Sequence, residues 1–217
     1  MTSLTIIPVF DDPVLQKPLN NEPLWLQTEN WARALGLYPL VISQPFGFQP
    51  RTDCDSPRPA TVSGKEEDLA KLVAFELGRS APADTITILS PYCPLRRRED
   101  YDESVRQLER SWVQGTVTTF YDEPDTMVYL RSGARNLWHR NDFQRPIYRL
   151  VPSIVTIKTE VFKASGTLIA GKCAAIEIPK EYSLEVRDGW DLLAAQAYLN
   201  EIILVANNGK NSHAVVG

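Results

Sequence analysis

Two adjacent aspartates stand at a place in this chain where α/β proteins often do phosphate chemistry. They lie in the stretch IIPVFDDPVLQKPL (6–19), after the apolar pair Ile6-Ile7 and Pro8. A loop after a first strand can hold phosphates when glycines let the backbone approach and free N–H groups grip the anion. This loop has no glycine. Desolvated beside a triphosphate, Asp11 and Asp12 would repel it. Two carboxylates could instead be ligands of a metal ion that reverses the repulsion. An Asp-Asp-Pro turn with no ligand is the plainer alternative. Both alternatives stand at this point.

Three other stretches carry chemistry-bearing side chains. SPYCPLRRR (90–98) places Cys93 beside three arginines, Arg96, Arg97 and Arg98. A cysteine nucleophile needs a base, and the chain's two histidines, His139 and His213, are far away in sequence, so a thiol mechanism is not expected. HRNDFQRPIYRLVPS (139–153) packs Arg140, Gln144, Arg145, Tyr148 and Arg149 into one short segment. That density suits an anion-binding patch and a polar subunit rim equally. SLEVRDGWDLL (183–193) mixes Glu185, Asp188 and Asp191 with Arg187. No GxGxxG follows the first apolar run, so a dinucleotide seat is missing.

These residues need a scaffold, and the apolar pattern supplies one. LTIIPVF (4–10) reads as a buried strand. EPLWLQTENWARALG (22–36) reads as a helix stopped by Gly36. YPLVIS (38–43) is a strand, 44–63 a long loop, and SGKEEDLAKLVAFELG (63–78) a helix with Ser63 and Glu66 at capping-box spacing. DTITIL (84–89) is a strand that alternates little. Tyr101, Val105, Leu108 and Trp112 recur at helical spacing within 90–115. Strands at 115–121, 147–158 (broken by Pro152) and 173–179 follow, with 122–146 irregular between the first two. A helix over 190–203 closes the domain, and 206–217 is expected to be a flexible tail. Strand and helix alternate, which predicts a mainly parallel sheet with helices on both faces, a three-layer α/β/α, Rossmann-like fold. Ligands in such sheets bind at the carboxyl ends of the strands. One domain over 1–205 is expected from the 217 residues.

Composition excludes several classes. Apolar residues make up 43% and charged residues 23%, and the net charge is -4. That balance gives no sign of nucleic-acid binding. No apolar run reaches membrane-spanning length. The N-terminus lacks the basic and apolar pattern of a signal peptide. Cys54, Cys93 and Cys173 form no CxxC pair, so reduced thiols in a cytoplasmic protein are expected and a zinc site is not.

ILSPYCPLRRREDYDESVRQL (88–108) resembles a signature of the CMP-sialic acid synthetases, whose third strand ends in LLQPTSPLR before an acidic helix start xxEDIDEA. Pro91, Pro94, Leu95, Arg96, Glu99, Asp100, Asp102 and Glu103 fit it, while Ser90, Tyr92 and Cys93 replace its Gln, Thr and Ser. Residues 140–199 resemble the family's RRQDLPxVYRxNGAIYVF, GTLxGGK and SIDIDTxxDLxxAExL, in order and spacing. The resemblance covers about the last 110 residues closely and the whole chain loosely. It extends to the CMP-Kdo synthetases and to the nucleotide-diphospho-sugar transferase-like fold that both share.

The resemblance implies CMP transfer from CTP to an acidic sugar, with pyrophosphate leaving, Mg²⁺ as cofactor, and a homodimer built partly through 122–160. It lays the first loop on the family's ARGGSKGIPRKN or ARYASTRLPGKPL. Pro8, Val9, Phe10, Asp11, Asp12, Lys17 and Ser90 then fall at nucleotide-binding positions. Phe10 stands in the place of an arginine, and Lys17 with Pro18-Leu19 keeps the pattern. Lys17 and Arg96 take catalytic places. Ser90, Tyr92, Arg96, Gln144, Tyr148 and Arg149 fall on the acceptor side. Glu185 takes the first metal aspartate's position, with Asp11 and Asp12 as further metal candidates, and Arg187 reverses the charge of the second. Val151-Pro152 replaces the family's Asn-Gly. With loop, metal and sugar positions all altered, the expectation is either a transferase with changed chemistry or a non-catalytic homologue serving as partner, scaffold or sensor.

Overall fold

The computed structural model describes residues 2–10, 12–43, 66–122, 128–130, 137–139 and 147–212. Its elements run β1 (Ser3–Val9), α1 (Pro13–Gln16), β2 (Pro18–Leu19), β3 (Glu22–Pro23), α2 (Leu24–Ala34), β4 (Leu40–Ser43), α3 (Glu66–Leu77), β5 (Thr85–Leu89) and α4 (Arg98–Leu108). They continue with β6 (Gly115–Asp122), β7 (Val128–Leu130), β8 (Leu137–His139), β9 (Ile147–Lys158), α5 (Thr159–Ser165), β10 (Cys173–Glu177) and α6 (Gly189–Ser212).

Six strands form one sheet in the order β10-β6-β9-β5-β1-β4. β1 runs parallel to β4 and β5, and β10 runs parallel to β6. β9 is antiparallel to both β5 and β6, so five strands share one direction and β9 opposes them. The expected mainly parallel sheet is present. Its pleat sorts neighbours to opposite faces. Ile6, Ile42, Ile88 and Val155 pack with Ala70, Leu72 and Val73 of α3 and Phe162 of α5. Ile7, Val41, Leu89 and Ile154 pack on the other face with Val14 and Leu15 of α1, Leu24, Trp25 and Ala32 of α2, and Ala195 of α6. All five residues of β5 are buried, as its weak alternation implies for a central strand.

Several boundaries differ from the sequence reading. Residues 18–23 form a small hairpin, β2-β3, whose turn residues Asn20 and Asn21 have φ of 52° and 67°. Asparagine tolerates that left-handed region, and the hairpin delays α2 to Leu24. Gly36, at φ 78°, closes α2: its N–H donates to Arg33 O, and the Leu37 N–H donates to Ala32 O. That is a Schellman ending. Helix α4 stops at Leu108, and Trp112 lies outside it, half exposed. The segment read as irregular contains the antiparallel pair β7-β8. Ser63, the expected cap partner of Glu66, lies outside the described residues.

Pro152 does not break β9. The ladder shifts register between Val117 and Thr119 on the facing strand, and the proline sits in that irregularity, where its missing N–H costs no regular bond. The Thr118 hydroxyl closes the gap. It donates to Val151 O, meets Ser153 Oγ at 3.2 Å and accepts from the Ile154 N–H at 3.2 Å. At the C-terminus the expected tail is helical as far as Ser212, because α6 continues beyond residue 203.

Candidate functional site

The ends of β1 and β5 come together, and the loops after them meet the segment before α6. Asp12 is the N-cap of α1. Its Oδ1 accepts from the Val14 N–H at 2.9 Å, and its Oδ2 accepts from the Tyr92 hydroxyl at 3.1 Å. The backbone around it is equally occupied. The Asp12 N–H donates to Phe10 O at 2.8 Å, Pro13 has no N–H, and the Leu15 N–H donates to Asp12 O at 3.0 Å. A phosphate-binding turn needs these donors free. Here residues 12–15 present none. Asp11 lies outside the described residues.

Tyr92 links the two loops. Its carbonyl accepts from the Val186 N–H at 2.7 Å, so the segment around Glu185 is docked against it. Burial pushes the Tyr92 phenol well above the ordinary tyrosine range, and the nearby Asp12 and Glu185 carboxylates add to the shift. The charge facing this phenol is negative.

Glu185 is ion-paired with Arg187, Nη2 to Oε2 at 2.5 Å. Arg187, which the resemblance lays on the second metal aspartate, therefore pairs with Glu185, laid on the first. Asp188 and Asp191 are used by the helix start. Asp188 Oδ1 accepts from the Trp190 and Asp191 N–H groups at 2.7 and 3.0 Å, and Asp191 Oδ2 accepts from the Arg187 N–H at 2.9 Å. These are capping contacts. Among the described residues no group of three His, Cys, Asp or Glu side chains could hold a metal ion. Asp12 is taken up by the Val14 N–H and the Tyr92 hydroxyl and Glu185 by Arg187, while Asp11, the third carboxylate expected to hold Mg²⁺, is not among the described residues.

Arg96 is placed differently from its expected ligand-facing role. It is 8% exposed, on the α2 side of the sheet. Its Nε donates to Ser153 O at 3.2 Å, its Nη1 to Thr28 Oγ1 at 3.1 Å, and its Nη2 to Ser90 O. It also lies over the Trp31 ring. Burial lowers its pKa to about 10. The guanidinium ties the end of β5, β9 and α2 together through backbone and side-chain acceptors of the protein itself. Cys93 is fully buried beside it, and burial raises its thiol to about 11, against any nucleophilic role.

Lys17 is exposed at the end of α1, and a Cβ on Gly189 would lie 3.8 Å from its Nζ. The amine therefore sits over the first turn of α6. Tyr148 and Arg149 are exposed on β9. The Tyr148 hydroxyl donates to Glu177 Oε2 at 3.3 Å and its ring meets Tyr121 edge-on; Arg149 lies over Phe120. They stand on the ribbon of β6 and β9, paired with Tyr121 and Phe120. Gln144 lies outside the described residues, as do Arg140 and Arg145.

Pro8, Phe10, Ser90 and Tyr92 share a cavity of about 290 Å³ at the strand ends. Val9, their neighbour, points to the opposite face and is buried there. Pro152, which with Val151 replaces the resembled family's Asn-Gly, is another wall; sequence reasoning missed Leu69, Leu150, Leu168 and Ile169 as walls. They come from distant segments, so no local spacing marks them.

This sheet order and the strand-end site define an α/β fold of the nucleotide-diphospho-sugar transferase type. The solved structures this chain superposes on include cytidylyltransferases. A 4-diphosphocytidyl-2C-methyl-D-erythritol synthase superposes with a TM-score of 0.66 at 12% identity, over 91% of this chain and 98% of that one. The 2-C-methyl-D-erythritol 4-phosphate cytidylyltransferase from Thermus thermophilus gives 0.63 at 16%, over 92% and 100%. The 4-diphosphocytidyl-2C-methyl-D-erythritol synthase from Anaerococcus prevotii gives 0.59 at 12%, over 91% and 99%. At such identities the likeness shows the fold. No family model matches the chain, and no curated protein does.

Proposed function

We propose that this chain is a non-catalytic, ligand-binding relative of the cytidylyltransferases, serving as a partner or sensing subunit. One observation carries the reading: between Asp12 and Leu15 every backbone N–H is bonded internally or replaced by proline. CMP transfer is positioning and charge stabilisation of phosphates, and free N–H groups and cations supply it. Phe10 has no charge to offer, and Asp12 adds a negative one. The homodimer through 122–160 belongs to this reading as a retained surface.

The test is pyrophosphate release from CTP, with Mg²⁺, over a panel of acidic sugars including nonulosonic acids and Kdo. The reading predicts release no faster than without protein. Turnover at an ordinary enzymatic rate, on the order of 1 s⁻¹ or more, overturns it.

A second reading is an active cytidylyltransferase that transfers CMP to an unusual acidic acceptor. The Lys17 amine favours it. A cation set over the first turn of α6 adds to that helix's positive end, and together they suit an anionic group. Lys17→Ala would then abolish turnover rather than merely weaken binding.

A further inference from the structure

The cavity of about 290 Å³ at the strand ends has the wrong lining for a nucleotide phosphate or a polyhydroxylated sugar. Ile88, Val117, Val155 and Leu168 form its floor as part of the buried apolar cluster, and Phe10 and Leu69 pack against them. Leu150 and Ile169, 57% and 39% exposed, stand at its mouth. Among its described lining residues there is no Lys, Arg, Asp, Glu or His. Ser90 and Tyr92 line it as its hydroxyl-bearing residues, the Ser90 side chain hydrogen-bonded to the Cys93 thiol and the Tyr92 hydroxyl to Asp12. Phe10 takes the place where the resembled families carry an arginine, so the loop contributes an apolar wall where it would otherwise contribute charge.

An apolar hollow left empty forfeits dispersion contacts along its whole wall. Its volume is about twice that of an engineered cavity known to take benzene, and near the lower limit for small-ligand pockets. It is too small for a partner's helix, about 10 Å across. We propose that this cavity binds the neutral apolar part of a small ligand, an aryl or short acyl group, with a donor at the ligand's polar end meeting the Ser90 hydroxyl oxygen. The assignment rests on the reading that the loop after β1 no longer holds a triphosphate. Such a ligand contributes binding through buried apolar area, and one hydroxyl orients it.

The test is a fluorescence titration of the full chain with N-phenyl-1-naphthylamine, a neutral apolar probe. The expected result is saturable one-to-one binding that survives millimolar CTP with Mg²⁺. Ile169→Trp and Leu150→Trp each fill the mouth from an exposed position, where folding tolerates them. Both are expected to weaken the probe by about tenfold or more, with Tm unchanged. Absence of saturable binding, or undiminished binding to both variants, overturns the assignment. Displacement of the probe by CTP would leave the cavity a ligand site and overturn the non-catalytic reading instead.

Discussion

Replacing Asp12 by Ala removes the acceptor of the Val14 N–H and of the Tyr92 hydroxyl at once. Loss of the cap alone costs about 1 kcal/mol, and the half-buried Tyr92 hydroxyl left unpaired adds a similar amount. Asp12→Asn keeps a capping oxygen and costs a few tenths. Urea unfolding of the two variants measures the difference. A metal-holding Asp12 would give another pattern, with Asn and Ala both abolishing metal binding and Asn sparing nothing. The raised groups on the facing loop after β5 set the alkaline behaviour. A pKa higher in the folded than in the unfolded state means the folded protein holds its proton more tightly. Stability from such a group is complete below the unfolded value and falls as pH rises past it. Burial raises both the Tyr92 phenol and the Cys93 thiol, the latter to about 11. Stability is therefore expected to decline once pH passes the ordinary thiol and phenol ranges, about 9 to 10. Tyr92→Phe removes the phenol's share. Thermal unfolding between neutral and alkaline pH checks this, and an identical decline in the variant contradicts it.

At the scale of elements, the irregular contact between β6 and β9 depends on one hydroxyl. Thr118 serves Val151 O, Ser153 Oγ and the Ile154 N–H where the ladder slips past Pro152. Thr118→Val keeps the shape and deletes the hydroxyl. It is expected to cost about 1–3 kcal/mol, because buried backbone groups lose their partner. Thr119→Val, one residue on, removes a hydroxyl with no hydrogen-bond partner and is expected to cost less or to stabilise. Denaturant midpoints of the pair decide between them. The same stretch shows what local sequence can and cannot display. A proline in an apolar run signals an interrupted ladder, and the ladder is interrupted. The strand continues because a side chain on another strand, 36 residues before Ile154 in the chain, replaces the lost bonds. Nothing near Pro152 announces Thr118. Similarly, Asn20-Asn21 is a turn signal within a stretch too short to read as two strands, and it moved the start of α2.

For the whole molecule, the alternation of apolar runs made the sheet and both helical layers legible, and Ile6/Ile7, Val41/Ile42 and Ile88/Leu89 each supply both faces from neighbouring positions. The site was legible only as residue types. Asp12, Ser90, Tyr92 and Glu185 do converge near the ends of β1 and β5. Their roles were set by contacts that spacing cannot show: Tyr92 with Asp12 across 80 residues, and Arg96 with Thr28 across 68. Arg96 is the clearest case. Its position in a motif pointed to a ligand, while its burial and three internal acceptors make it part of the frame. Among the described residues no helix is long and apolar enough to cross a membrane.

The central claim is that the loop after β1 no longer grips a triphosphate. Calorimetric titration of the protein with CTP, with and without Mg²⁺, tests it most directly. The account predicts no magnesium-dependent binding at millimolar CTP. Saturable, magnesium-dependent heat at micromolar CTP would contradict it, because the N–H groups between Asp12 and Leu15 would then have to leave their present partners to hold phosphate.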